Sequence, residues 1–267
     1  MKRSRILALD LDGTLLNSKK EISPLTLNAL LQEEGRGAAV VLVSGRPIHG
    51  CAPFVSALRL KEFGGYVIAF NGAQILDCST QQMLFQSGVP TEWLSYLHSL
   101  SRQQPSCALM TYSGEEVLTE DSENPYVQYA AQINRMSVRQ VERIFETVKE
   151  SVPKCIIAGE PEQLDKIHIE SAARRTKLTF VRSEPFFLEI MPEGIDKGAS
   201  LARLLTLIGA EASCVIAFGD SYNDATMLSV AGTSVAMGNA RPEICAMADF
   251  TTASNDADGI ASFLNTL

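Results

Sequence analysis

The chain has 267 residues, of which 46% are hydrophobic, and its formal net charge at pH 7 is -8. This length allows one large globular domain or two smaller ones, and the acidic balance argues against a nucleic-acid-binding protein. No apolar run approaches the ~18 residues of a membrane span, and Asp10 interrupts the apolar run that follows the basic start. We therefore expect a cytoplasmic protein without a membrane anchor or signal peptide.

The cysteines are widely spaced and form no CxxC pair, and most of them lie in apolar surroundings. They are Cys51, Cys78, Cys107, Cys155, Cys214 and Cys245. Reduced, buried thiols are typical of this pattern in cytosolic proteins, and we expect neither a disulfide nor a zinc site.

The first third of the chain alternates strand and helix patterns. Strands are predicted at residues 6–9, 38–43 and 66–70, where apolar residues run without interruption. The helix after the first strand is expected to have Ser23 as its N-cap and Gly35 just past its end. A second helix is predicted from Pro47 to about residue 60. Strands separated by helices predict a parallel sheet with right-handed crossovers.

The middle of the chain has a different pattern, with longer helical segments between short strands. Helices are predicted at residues 91–104, 137–151 and 161–174, and strands at 107–111, 116–118, 154–158, 178–181 and 187–190. This spacing predicts an α+β domain whose sheet is partly antiparallel. After Lys197 the earlier alternation returns. We therefore predict an α/β core of residues 1–82 and 191–267, with residues 83–190 inserted as a second domain.

Polar groups of complementary chemistry lie at the ends of three predicted core strands. Asp10 and Asp12 follow the first strand, two residues apart, so both carboxylates can face one ligand. The segment Ser44-Gly45-Arg46 follows the second strand and offers a hydroxyl and free amides, which suit a phosphate oxygen. A later strand ends at Gly219-Asp220-Ser-Tyr-Asn223-Asp224, and Lys197 begins a core helix. The carboxyl ends of parallel strands are where open α/β sheets bind ligands.

These four motifs, in this order and spacing, resemble the haloacid dehalogenase superfamily of phosphohydrolases, and most of all its Cof-like branch, which includes sugar phosphatases. The resemblance covers nearly the whole chain. It implies a Rossmann-like parallel-sheet core, with the inserted domain acting as a cap that selects the leaving group. The activity it implies is Mg²⁺-dependent hydrolysis of small phosphorylated metabolites, with sugar phosphates as the first choice.

The resemblance also implies a role for each motif residue. Asp10 would be the nucleophile that becomes an aspartyl-phosphate, and Asp12 would act as general acid and then general base. Mg²⁺ would be held by the Asp10 carboxylate, the Asp12 carbonyl and Asp220, with Asp224 orienting that arrangement. The groups implied to hold the phosphate are Ser44, the Gly45 and Leu11 amides, Lys197 and Asn223, with Arg46 reaching the substrate.

Other interpretations remain open at this point. A phosphomutase uses the same motifs, and receiver-type binding modules also combine an aspartate, Mg²⁺ and a lysine. Taken singly, Asp12-Gly13 is also compatible with a plain turn, Ser44 with a helix cap and Asp224 with a first-turn helix acid. The motifs leave the choice among nucleotide, phosphosugar, flavin and pyridoxal phosphates open, and also the oligomeric state.

Overall fold

The computed structural model describes residues 5–173 and 176–267. The basic start at residues 1–4 and the last residue of the helix predicted at 161–174 lie outside these ranges. The described chain forms two compact units, one of residues 5–85 with Asp196–Leu267 and one of Gln86–Ile195. The predicted boundary at residue 83 falls on the first residue of a strand, and that at 190 within another strand.

The strands are numbered in chain order. They are β1 (Ile6–Asp10), β2 (Ala39–Val43), β3 (Tyr66–Ala69), β4 (Gln74–Asp77), β5 (Met83–Gln86), β6 (Ala108–Ser113), β7 (Glu116–Thr119), β8 (Ser137–Gln140), β9 (Cys155–Ala158), β10 (Leu178–Glu184), β11 (Phe187–Pro192), β12 (Val215–Gly219), β13 (Thr233–Ala236) and β14 (Phe250–Thr251).

The α-helices follow the same order, with short 3₁₀ turns between some of them. They are α1 (Pro24–Gly35), α2 (Ile48–Ala57), α3 (Leu60–Phe63), α4 (Leu94–Ser101), α5 (Pro125–Asn134), α6 (Ile144–Thr147), α7 (Pro161–Ala173), α8 (Lys197–Ile208), α9 (Ala225–Val230), α10 (Pro242–Met247) and α11 (Gly259–Leu264).

The larger sheet belongs to the first unit and has the order β14-β13-β12-β1-β2-β3-β4-β5. Its strands run parallel from β14 to β3, and β4 pairs antiparallel with β3. In the centre, Ile6 of β1 pairs with Ala39 of β2 on one side and Val215 of β12 on the other. The predicted parallel α/β core is confirmed, and the antiparallel β4 is an addition that the sequence pattern did not indicate.

The apolar runs of the first unit form strands because both faces of its sheet are covered. All five residues of β1 and of β2 are buried, as expected for parallel strands between helical layers. Leu201, Leu204 and Leu205 of α8 pack into the same cluster as residues of the strands. This packing fixes the carboxyl ends of the central strands, from which the polar motifs emerge.

The second unit has a mixed sheet with the order β10-β11-β9-β6-β7-β8. Its recorded pairs are antiparallel except β7 with β8, which run parallel. Its own apolar cluster joins helix residues to strand residues, for example Leu97 and Ile167 to Ile157 and Leu188. The α+β class predicted for the insertion is thereby confirmed.

Two local predictions were wrong. The helix predicted at 137–151 is instead the strand β8 followed by the single turn α6, because β8 pairs in parallel with β7. Gly35 does not follow α1 but lies in its last turn, and Gly37 has the left-handed backbone, with φ +95°. Ser23 does cap α1, since its side chain accepts a hydrogen bond from the Thr26 amide at 3.1 Å.

The cysteine and membrane predictions can also be compared with the structure. All six thiols are free, four of them buried and two partly buried. Within the described residues, the helices are too short or too polar to cross a lipid bilayer.

Candidate active site

The polar motifs lie at the carboxyl edge of the larger sheet because β1, β2 and β12 are parallel neighbours. Asp10 is the last residue of β1, Ser44 follows β2, and Asp220 follows β12. Lys197 is contributed separately, as the first residue of α8 after the N-cap Asp196. Residues far apart in the chain are thus brought to one place.

A buried lysine connects two of the carboxylates. Lys197 Nζ donates to Asp10 Oδ1 and to Asp224 Oδ1, each at 2.6 Å. The lysine has no exposed surface, and Asp10 is 5% exposed. Burial alone disfavours the charged amine, but Asp10 and Asp224 outweigh it and raise the pKa of Lys197. The lysine is therefore a permanent cation beside Asp10.

Three carboxylates form an acidic cluster around this lysine. Asp10, Asp220 and Asp224 each offer an oxygen within 4.8 Å of the others. Burial, followed by the charge of Asp224, raises the pKa of Asp10 well above its ordinary value. The same two causes raise the pKa of Asp220 to about 6. One lysine does not neutralise three carboxylates, and this excess negative charge with oxygen ligands suits a hard divalent cation.

Asp224 is held by both of its oxygens. Besides the Lys197 bond on Oδ1, its Oδ2 accepts hydrogen bonds from the Asp220 amide at 3.0 Å and the Ser221 amide at 2.9 Å. These bonds close the loop between β12 and α9. Asp224 thus connects the Asp220 backbone with the Lys197 side chain.

Gly13 and Thr14 were not assigned a role from the sequence, although they belong to the first motif. Thr14 Oγ1 donates to Asp220 Oδ1 at 3.0 Å. Gly13 has φ +92°, and a Cβ there would lie 2.5 Å from Asp220 Oδ2. The glycine therefore leaves room for the Asp220 carboxylate next to the turn after β1, and Thr14 orients that carboxylate.

Asp12 lies apart from the acidic cluster and is paired with two cations. Arg46 donates to it bidentately, with Nε to Oδ2 and a terminal nitrogen to Oδ1, both at 2.7 Å. Lys20 Nζ donates to Oδ1, also at 2.7 Å. Burial would raise the pKa of Asp12, but the hydrogen bonds and charge of Arg46 and Lys20 prevail and lower it. The contact of Arg46 with Asp12 was not predicted, nor was any role for Lys20.

Three of the remaining predicted residues, Ser44, Gly45 and Asn223, lie around Asn71. Its amide donates to the Ser44 carbonyl at 2.8 Å, and its Oδ1 accepts from Asn223 Nδ2 at 3.3 Å. A Cβ on Gly45 would lie 3.1 Å from Asn71 Oδ1. Ser44 Oγ accepts from the Arg46 amide at 3.1 Å, and Leu11 is fully buried between Asp10 and Asp12. Asn71, with φ 53°, thus links the loops that carry Ser44, Gly45 and Asn223.

Comparisons with known proteins identify the family of the chain. Residues 7–264 match the family model described as haloacid dehalogenase-like hydrolase. The Bacillus subtilis (strain 168) protein YxeH is 33% identical, over 98% of this chain and 98% of its own. Pyridoxal phosphate phosphatase YbhA from Escherichia coli (strain K12) is 29% identical, over 98% and 97%.

A solved structure extends the similarity to three dimensions. The crystal structure of a haloacid dehalogenase-like hydrolase from Bacteroides thetaiotaomicron superposes with a TM-score of 0.93 at 40% identity, covering 98% of each chain. The chain belongs to the haloacid dehalogenase-like hydrolases, in their Cof-like branch, and is a phosphoric monoester hydrolase.

Proposed function

We propose that this hydrolase cleaves small organic phosphate monoesters through a phosphorylated Asp10, with Mg²⁺ held at the acidic cluster. The observation that carries this proposal is the contact of Lys197 with both Asp10 and Asp224 beside the Asp220 carboxylate. A phosphate monoester carries about 1.5–2 negative charges at pH 7, so an anionic nucleophile needs cations at its side to approach it.

The acidic cluster fits Mg²⁺, which prefers oxygen ligands and keeps several waters. Asp10 and Asp220 would hold the ion together with the carbonyl of Asp12, and Asp224 would orient that set. When bound, the ion neutralises charge on the phosphoryl group and on the nucleophile. We assign Mg²⁺ on the chemistry of these oxygens and on the general preference for Mg²⁺ that the resemblance implies.

The reaction then consists of two displacements at phosphorus. An Asp10 oxygen forms a bond to phosphorus while the bond to the leaving oxygen breaks, and Asp12 gives its proton to that oxygen. Water next attacks the aspartyl-phosphate, Asp12 takes the proton of the water, and Asp10 is released with inorganic phosphate. Lys197 balances the charge of Asp10 in both steps.

The transferring phosphoryl group is proposed to be held by Ser44, Asn223, Lys197 and the amides of Leu11 and Gly45. The position of Ser44, Gly45 and Asn223 around Asn71 supports their part of this assignment, because it brings groups of two loops together. For the leaving group, sugar phosphates are our first proposal and pyridoxal phosphate, the substrate in the name of YbhA, is the second. We propose that the inserted unit selects the leaving group. We also propose that the protein acts in the cytoplasm.

Phosphate release from a panel of sugar phosphates and pyridoxal phosphate tests the proposal. We expect release with Mg²⁺, and only the background rate with EDTA or in Asp10→Asn. Asp249→Asn is the matched control, because Asp249 is bound to Ser234 away from the acidic cluster, and it should keep the wild-type rate. Equal rates with Mg²⁺ and EDTA, or an active Asp10→Asn, would contradict the proposal. A phosphorylated isomer as the main product would indicate a mutase instead.

A further inference from the structure

The loop after the first motif brings a lysine to Asp12. Residues 17–21 close on themselves: the Asn17 amide donates to the Glu21 carbonyl at 3.0 Å, and the Lys20 amide donates to the Asn17 carbonyl at 2.8 Å. Lys20 has φ 61°, a backbone conformation that lysine rarely adopts. This conformation directs its side chain to Asp12, whereas no ion pair of the neighbouring Lys19 is recorded among the described residues.

The loop is fastened to the C-terminal part of the same unit. The Ser18 amide donates to Asp256 Oδ1 at 2.8 Å, and the Ser18 hydroxyl also contacts that carboxylate. Asn255 Nδ2 donates to the Leu16 carbonyl at 2.8 Å. The loop that carries Lys20 is therefore anchored at both its start and its middle. The ammonium group of Lys20 thus reaches Asp12 from a fixed backbone position.

The hydrogen bonds on Asp12 distinguish its two oxygens. Oδ1 accepts from both Lys20 and Arg46, while Oδ2 accepts only from Arg46 Nε among the described residues. A carboxylate oxygen has two lone pairs, so Oδ1 is fully occupied and Oδ2 keeps one free. A proton on Asp12 can then reside on Oδ2 without displacing a donor.

We propose that Lys20 is a positioning residue for the proton transfers of Asp12. By occupying Oδ1 it fixes the carboxylate plane together with Arg46 and reserves Oδ2 for the proton that is given to the leaving group and taken back from water. This inference rests on the proposed function, in which Asp12 is the general acid and base. Among the described residues, the recorded ion pair of Lys20 is with Asp12 and not with the acidic cluster.

The side chains of Lys20 and Asp12 are 52% and 37% exposed. An ion pair this exposed adds little to folding stability, so Lys20→Met should fold and unfold like the wild type. Removing this positive charge by itself favours the protonated form of Asp12, so a lower rate in Lys20→Met would report the misplacement of the acid, for which small displacements are costly. Lys19→Met is the matched control, because it removes the same charge from the adjacent position without touching Asp12.

The test compares two leaving groups by kcat/KM: the best sugar phosphate of the panel, whose alkoxide needs a proton, and p-nitrophenyl phosphate, whose phenolate hardly needs one. Lys20→Met should lower kcat/KM for the sugar phosphate by about tenfold and for p-nitrophenyl phosphate much less. Lys19→Met should leave both unchanged. A merely structural role of Lys20 would lower both alike, and that result, or no change at all, would overturn the inference.

Asp12→Asn separates this inference from the proposed function. It should lower kcat/KM for the sugar phosphate by roughly 10²–10⁴, with a smaller loss for p-nitrophenyl phosphate. If Asp12→Asn shows this selectivity and Lys20→Met does not, the role of Lys20 is wrong while the role of Asp12 stands. If Asp12→Asn affects both substrates equally, the acid assigned in the proposed function is wrong.

Discussion

A fully buried lysine is stable in this protein because two carboxylates share it. Lys197 Nζ lies 2.6 Å from oxygens of Asp10 and of Asp224, and an unpaired ammonium group at this depth would be strongly disfavoured. The dependence is mutual, since removing one partner of a buried ion pair leaves the others uncompensated. At the residue scale, Lys197 therefore depends on Asp10 and Asp224, and these two carboxylates depend on Lys197.

The Asp220 carboxylate gives this set a defined pH dependence in metal-free protein. Its pKa is about 6 in the folded state and 3.8 ordinarily, raised by burial and then by Asp224. Because the raised pKa favours the protonated form, its contribution to stability is present below about pH 4 and is lost as the pH rises through about 6. Asp220→Asn in EDTA should thus raise the free energy of unfolding at neutral pH, on the order of 2 kcal/mol.

Urea unfolding as a function of pH measures this effect. The gain in Asp220→Asn should shrink as the pH falls toward about 4, where the wild-type carboxyl is protonated. Asp249→Asn serves as a control of opposite sign, because backbone and side-chain hydrogen bonds from Ser234 lower the pKa of Asp249. An Asp220→Asn variant that is less stable than the wild type at neutral pH would contradict the raised pKa of Asp220.

The motif residues could be predicted from the sequence because each motif is a short segment at a strand or helix end. Asp10, Lys197, Asp220 and Asp224 come together in the structure as the motifs indicate. The contact between Lys20 and Asp12 could not be predicted, because it depends on a left-handed backbone residue in a loop. The pairing of Arg46 with Asp12 depends on which of several nearby acids a long side chain reaches.

At the scale of elements, two exposed glycines at the end of α1 differ in backbone conformation. Gly35 lies in the helix and Gly37 has φ +95°, and a Cβ on either would meet no atom within 4 Å. Gly35→Ala should therefore raise the free energy of unfolding by about 0.5–1 kcal/mol. Gly37→Ala should lower it by about 1–2 kcal/mol, because alanine is strained at this backbone conformation.

Chemical unfolding measures the stability of both variants, and each variant serves as the control for the other. Both substitutions add one methyl group in open space, two residues apart, so a difference in sign isolates the backbone conformation. Two variants of equal stability would contradict the assigned end of α1. The Ser23 cap was predicted correctly from the sequence, but Gly35 was wrongly placed just past the helix end. Gly37 has the left-handed backbone instead, and both glycines fit the pattern of a helix C-terminus.

Strand prediction was weakest where pairing decides the outcome. Residues 137–140 have a helix-compatible pattern, yet they form β8 because β7 offers a parallel partner. The same holds for β4, which pairs with β3 through a short connection. Long-range pairing of this kind is a tertiary effect that local preferences do not contain.

At the scale of the whole molecule, each unit has an apolar cluster of its own, and the candidate metal ligands all lie in one unit. The single tryptophan, Trp93, belongs to the other unit. A ligand that binds only the folded state stabilises it by about 2.7 kcal/mol at one hundred times its Kd. Mg²⁺ should thus raise the thermal midpoint followed by circular dichroism more than the midpoint followed by Trp93 fluorescence.

This comparison needs Asp220→Asn as its control, in which Mg²⁺ should shift neither midpoint. Equal shifts of both signals in the wild type would show that the two units unfold as one. A wild-type protein whose midpoints do not respond to Mg²⁺ would argue against the proposed ion.

The central position of β1 has a consequence for how the chain folds during synthesis. On one side β1 pairs with β2, which leaves the ribosome soon afterwards, but on the other its partner is β12, beginning at Val215. At about 5–20 residues per second, translation leaves the β12-facing edge of β1 unpaired for about 10–40 s. An unpaired apolar strand edge promotes aggregation, so we expect a chaperone that binds extended apolar segments to protect the nascent chain until β12 has been synthesised.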